Sequence, residues 1–209
     1  MGFFIFNTIG SNSGLTSFET KIADIENIVL PDQSEVDLNA SSKLNYDTDQ
    51  WDTNRTLELD GEAYFDVTSG SKFIVNTTYG TVEVLGTKFN VKSRNYGFEV
   101  TCYEGSVAVA LNDREFVLKQ NDQLLFNSSS IQKKKTENNS PDWKNKYTTL
   151  KSRTLEHVLE EFSFYYDVNF DVKGINTSRL YTGSFPHNNL EIALKSITLP
   201  LDLTYQISD

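Results

Sequence analysis

Carboxylates are the most abundant reactive groups in this sequence, 29 aspartates and glutamates against 19 lysines and arginines and two histidines. Glycosidic hydrolysis needs two carboxylates facing each other across a cleft. Glu58, Asp60, Glu62 and Asp66 lie close together, but alternation puts Glu62 and Asp66 on the polar side of one strand, the ordinary place for solvated charge. The run Asn45 to Asn54, N-Y-D-T-D-Q-W-D-T-N, offers Asp47, Asp49 and Asp52 as hard oxygen ligands. Counted from Asp47, Trp51 and Asp52 stand where a calcium loop needs an oxygen ligand and then a glycine. The run reads as a solvated turn.

His157 and His187 are too far apart to form a zinc-binding pair on one helix. With Cys102 as the single cysteine, neither an intrachain disulfide nor a cysteine zinc site can form. His157 reads as a partly packed side chain and His187 as a loop residue ahead of a helix. Gly80 to Lys88, G-T-V-E-V-L-G-T-K, alternates as a strand, whereas a phosphate cradle needs a loop opening a helix. No catalytic residue, metal or cofactor is expected, and the chain does not read as an enzyme. A net charge of −10 repels phosphate backbones and argues against nucleic-acid binding.

The elements that would position any site divide the 209 residues into unequal parts. From about Thr16 to Phe126 short alternating runs are punctuated by turn residues, the pattern of a sheet-rich domain. Runs beginning at Glu62, Phe73, Thr81, Phe98, Ser106 and Asp122 each put apolar residues at every second position. In the first, Ala63, Phe65 and Val67 form the core side, leaving Glu62, Tyr64 and Asp66 on the wetter one. Residues 127–142 are polar, contain the triplet Lys133 to Lys135 and lead up to a proline at 141, which reads as a solvated linker.

The last part repeats itself at an offset of 35 residues without a gap. Leu155, Val158, Leu159 and Phe162 lie over Leu190, Ala193, Leu194 and Ile197, each set the stripe of an amphipathic helix. Residues 164–172 and 199–207 then alternate with period two, as strands do. Thr154 and Asn189 stand at the N-cap positions. The expectation is a mainly β N-terminal domain of twisted antiparallel sheets, sandwich- or solenoid-like, over 16–126. A short tail or cloning remnant over 1–15 precedes it. The 127–142 linker then leads to a small α+β domain over 143–209, built as two βαβ repeats.

Five motifs in order carry a family resemblance: L-P-D-Q-S-E-V at Leu30, L-N-A-S-S at Leu38, L-D-G-E-A-Y-F-D-V at Leu59, V-L-G-T-K-F-N-V at Val84 and E-G-S-V at Glu104. The series resembles the FecR-like anti-sigma regulators. The C-terminal repeat is similar to the small domain that follows in members from Bacteroidetes-type bacteria, itself like the secretin and TonB short N-terminal domain. Gln33 departs from the pattern, since the family usually has glycine there to complete an Asp-Gly turn.

The resemblance implies a non-enzymatic relay. A TonB-dependent outer-membrane transducer presents its N-terminal signalling domain to this region, and the state of that contact controls an extracytoplasmic-function sigma factor. It further implies a periplasmic location within a single-pass inner-membrane protein. Membrane anchoring and sigma-factor contact would then belong to segments ahead of this sequence in the full-length protein. The partner contact is expected on residues 143–209, through a strand edge. Some relatives are cleaved between a glycine and a threonine, which makes Gly86 and Thr87 a candidate cleavage site, with a bulge or tight turn as the competing reading. The alternative function is a periplasmic or surface glycan-binding β-domain with Trp51 and Tyr64 in a sugar platform.

Overall fold

The computed structural model describes residues 14–127 and 130–208, so the expected tail lies almost wholly outside the described residues. The strands are β1 (Leu15–Glu19), β2 (Glu26–Val29), β3 (Glu35–Leu38), β4 (Lys43–Asp47), β5 (Arg55–Asp66), β6 (Phe73–Asn76) and β7 (Gly80–Val84). They continue with β8 (Lys88–Arg94), β9 (Gly97–Glu104), β10 (Ser106–Leu111), β11 (Arg114–Lys119), β12 (Asp122–Asn127) and β13 (Ser130–Lys135). Their order is β11-β10-β7-β6-β5-β8-β9-β12-β13, with β1 joined through β4, and β2 through β3, to β5. The expected mainly β class is what forms, and each of the six alternating runs lies in a strand.

β5 is the strand on which the sheet bends. Its first half pairs with β4 and β6, its second half with β3 and β8. The change of partners falls at Gly61, whose φ is +110°. A Cβ there would stand 2.6 Å from the Ser42 Cβ and 2.7 Å from its Cα, so only glycine fits. The Ser42 hydroxyl accepts the next amide, Glu62 N–H, at 3.0 Å. Folded about this point, both halves feed one core in which Phe65 stacks on Phe89 at 4.9 Å and meets Phe73 edge-on at 6.1 Å.

Among the described strands all pairs are antiparallel except β5 with β6. A parallel return needs a crossover of a dozen or so residues, and here the second half of β5 supplies it. Arg55 holds the return in place, with Nη1 donating to the Asp32 carboxylate at 2.7 Å and to the Thr68 carbonyl at 3.1 Å, and Nη2 to the Ser71 carbonyl. Asp32 also accepts from Ser34 N–H, and Gln33 between them takes φ +66°, the conformation that the expected glycine would hold at lower cost.

Two expectations give way. The segment 127–142 is not a linker throughout, because β13 occupies 130–135 and pairs along β12. Lys133 and Lys135 bind the buried Asp122 carboxylate at 2.9 and 2.8 Å, and Lys133 also donates to the Val117 carbonyl of β11. A lysine run therefore forms a strand because alternate members find a common countercharge.

The last part consists of a 3-10 turn (Asp142–Asn145), β14 (Tyr147–Thr154), α1 (Leu155–Ser163), β15 (Leu180–Pro186) and α2 (Leu190–Thr198). Thr154 and Asn189 cap the helices through His157 N–H and Ile192 N–H, as their positions predict. The α+β class holds, but the third strand of each repeat does not form. Residues 166–172 alternate in burial without a ladder partner, held instead by packing and by the Tyr166 hydroxyl on the Pro186 carbonyl at 2.7 Å. In the second repeat Pro200 lies in a 3-10 turn (Leu199–Leu201), and Asp202 then takes φ +50°.

Replacing Gly61 with alanine is expected to destabilise the fold by about 1–3 kcal/mol, the usual range for forced overpacking. Urea unfolding at unchanged m-value checks this.

Candidate functional site: a buried polar seam

Alternation sends Glu62, Tyr64, Asn90, Lys92, Glu99, Thr101 and Gln123 to the face of the sheet away from its core. Register lines them up as Tyr64-Asn90-Thr101-Gln123-Lys134 and Glu62-Lys92-Glu99. This face does not meet water throughout. The α+β part covers it, and Tyr64, Tyr103 and Ala40 join Trp143, Leu155, Val158, Phe162 and Tyr165 in a second apolar cluster. The wetter side expected of Glu62, Tyr64 and Asp66 is thereby corrected, since Glu62 is 3% exposed and of the three only Asp66 keeps a half-exposed side chain.

Lys92 is the centre of the seam. Its Nζ lies 2.6 Å from Glu161 Oε1 on α1 and 3.4 Å from Glu62 Oε2 on β5. The Tyr96 hydroxyl donates to the same Glu161 oxygen at 2.6 Å. Glu62 accepts in addition from Asn90 Nδ2 at 2.9 Å and from Asn39 Nδ2 at 3.0 Å, and Asn39 also donates to the Tyr165 hydroxyl at 2.9 Å. Trp143 Nε1 donates to Asn90 Oδ1 at 3.3 Å. Burial alone would raise the Glu161 carboxyl, but Lys92 and the Tyr96 hydrogen bond outweigh it and hold the group ionised below the usual range. Burial would likewise lower Lys92, and the two carboxylates raise it well above an ordinary lysine.

Outer contacts clamp the same seam. Arg153 pairs with Glu99, and Lys144 pairs with Asp37 at 2.5 Å while its ammonium sits 4.1 Å from the Tyr64 ring centre. The Arg94 guanidinium lies 4.0 Å over Phe164 and donates to the Ala40 carbonyl. Both histidines are here. His157 packs on Tyr96 at 4.0 Å, as a partly packed side chain should. His187 lies in the bend between β15 and α2, as expected of a loop residue ahead of a helix, and there it stacks on Tyr165 at 3.4 Å and hydrogen-bonds Thr148 Oγ1 at 2.9 Å. Desolvation lowers both imidazoles from 6.5 to about 4, so they are neutral near pH 7.

Other sequence candidates lie away from the seam or are closed. Trp51, 2% exposed, packs on Tyr46 at 5.0 Å and Phe73 at 6.0 Å, and Tyr64 is covered by Lys144 and Tyr103. A sugar platform needs open ring faces, so that reading of Trp51 and Tyr64 is corrected. Gly86 and Thr87 sit between β7 and β8, where the Thr87 hydroxyl donates to the Ser106 carbonyl at 3.1 Å and Gly86 lies outside the positive-φ region. The thiol of Cys102 is buried and pushed up to about 11 by desolvation and Asp122. Asp47 closes the 45–54 turn by accepting from Asp49 N–H at 2.9 Å.

Sequence reasoning missed Asn39, Asn90, Lys92, Glu161 and Tyr165 as one site. A signal was present: Glu161 follows Val158 by three and precedes Phe162, which places a carboxylate on the apolar flank of α1. Nothing in the sequence names its partner 69 residues earlier.

The site is thus a buried polar seam between a curled β sheet and a small α+β part, and no group of side chains that could hold a metal ion occurs among the described residues. The comparisons give the family. Residues 16–108 match the family model described as FecR protein, and residues 147–209 the one described as FecR, C-terminal. The chain belongs to the FecR-like anti-sigma factors, a regulatory and non-enzymatic family. Two crystal structures of a protein from Parabacteroides distasonis ATCC 8503, provisionally described as an anti-sigma factor, share its fold. One aligns with TM-score 0.85 at 26% identity and the other with 0.84 at 25%, each over 93% of this chain and 95% of that one. No curated protein matches the chain.

Glu161→Leu strands the Lys92 ammonium against Glu62 alone and is expected to cost about 3–5 kcal/mol, the range for breaking a buried pair. Denaturant unfolding measures it. The pH dependence has a defined sign. The folded histidines titrate near 4 and the unfolded ones near 6.5, so the unfolded state binds more protons between these values. Stability therefore falls as pH drops from 6.5 to 4. The lowered Glu161 adds a further loss as pH falls below its ordinary 4.5. Melting temperature against pH should fall in this order, and His187→Gln should flatten the first step.

Proposed function

We infer that this chain is the periplasmic signal-sensing region of a single-pass inner-membrane anti-sigma factor. It binds the N-terminal signalling domain of a TonB-dependent outer-membrane transducer. The state of that contact passes to an extracytoplasmic-function sigma factor through segments beyond this chain. Among the described residues no helix is long and apolar enough to cross a membrane, so anchoring in this reading belongs to the remainder of the full-length protein.

The observation that carries the reading is the seam. Glu161 on α1 and Lys92 on β8 form a buried pair between the part expected to meet the partner and the sheet behind it. A partner that shifts α1 or β14 changes the surroundings of a desolvated charge, a linkage that propagates at little distance and high energy. Family membership supplies the biological direction, and the net charge of −10 suits a protein partner better than a phosphate polymer.

Calorimetric titration of the intact chain with the signalling domains of the source organism's transducers, one at a time, tests the assignment. One domain is expected to bind and to slow amide hydrogen exchange within residues 143–208. Binding by none of them, or protection confined to the β part, would overturn it.

A further inference from the structure

A cleft of about 460 Å³ opens at the seam, within the range that seats peptide-like or drug-sized ligands. Its lining includes Tyr147, Thr148, Thr149, Leu150 and Lys151, a consecutive run of β14. A strand face shows alternate residues, so a consecutive run means that β14 turns its edge to the cleft. That edge has no partner among the described strands, because β14 pairs with β15 alone.

Register fixes which backbone groups are spare. His187 N–H donates to the Lys146 carbonyl at 2.9 Å, next to the pair Tyr147 and Pro186. Antiparallel pairs alternate between bonded and non-bonded, so Thr148 and Leu150 bond towards β15. Tyr147 and Thr149 then direct their N–H and C=O groups into the cleft. The open edge ends at the irregularity between Leu150 and Arg153, where Ser152 takes φ +50° and donates its N–H to Thr182 Oγ1.

Charge indicates what kind of strand fits. Among the cations lining the cleft, Lys92 is matched by Glu161 and Glu62, Arg153 by Glu99 and Lys135 by Asp122. Lys134 and Lys151 line it without a salt bridge among the described residues. Burial lowers the Lys134 ammonium most, Glu99 pulls it back up, and Arg153 and Lys151 lower it, so these cations lie near one another on this side of the cleft. The lining carboxylates without a cation, Glu137 and Asp142, belong to the 136–142 connection and its end.

We propose that the outer edge of β14 accepts an extended, acidic segment of a partner protein as a third strand, its carboxylates meeting Lys134 and Lys151. This rests on the partner-binding role proposed above and names the edge and the chemistry that the partner uses. Strand addition of this kind draws affinity from the main chain and selectivity from alternate side chains.

The test uses the intact chain and a short peptide of alternating valine and glutamate, with an alternating valine and lysine peptide as control, followed by amide NMR. The acidic peptide is expected to shift the amides of 147–151 and Lys134, and the basic one is not. Thr149→Pro removes an outward N–H and keeps the β15 backbone ladder, as edge prolines do, at the loss of the Thr149 hydroxyl's hydrogen bond to Ser184, and should weaken binding at least about tenfold. Lys134→Glu with Lys151→Glu tests the same edge without backbone change and should weaken it about tenfold, with wild-type binding falling as salt rises. No shift at millimolar acidic peptide, equal response to both peptides, or full binding by both variants would overturn the proposal. Failure of every transducer domain to bind, with the peptide result intact, would instead sink only the assignment of the partner.

Discussion

The rest of the structure depends on one buried ammonium. Removing a lysine from water costs several kcal/mol unless countercharge and hydrogen bonds replace the lost solvation. Lys92 obtains them from Glu62 on its own sheet and from Glu161 on α1, with Tyr96, Asn39 and Asn90 satisfying the remaining carboxylate lone pairs. Neither part of the chain can supply this arrangement alone. Without the α+β part, Tyr64 and Tyr103 would lose their apolar cover and Lys92 its closer carboxylate. The seam thus makes two unlike layers answer to each other, as the proposed relay requires.

The sheet is shaped to present that face. Its bend at Gly61 brings both halves of β5 onto one core, and the same strand carries Phe65 inward and Glu62 outward. At the far end Lys133 and Lys135 turn to Asp122 while Lys134, one residue out of phase, lines the cleft with no salt bridge among the described residues. One short basic strand therefore ties down the sheet edge and contributes an unmatched charge to the cleft. The period of two decides which lysine does which.

Acid sensitivity follows from the same geometry. The two histidines are held neutral by stacking and burial at the seam, and Glu161 is held ionised, so lowering the pH acts first where the two parts meet. In acid the interface is therefore charged before the Phe65 and Phe89 core, whose titratable members Tyr46 and Cys102 ionise only at alkaline pH.

What the sequence determined by itself was local: the alternating runs that became strands, the two caps at Thr154 and Asn189, the helical stripes of the repeat and the ordered motifs that give the family. These rest on periods and neighbours within a few residues, which the chain displays directly. It misjudged 127–142 because a lysine run looks solvated until Asp122 is seen beside it. It also expected third strands at 164–172 and 199–207, where alternation survives only over 166–172 and 201–205 and no ladder forms. Only the tertiary structure decided that the polar face of β5 and β8 is an interior surface. Burial of a polar residue is a property of what comes to cover it, and the side chain that matches Lys92 arrives 69 residues later in the chain.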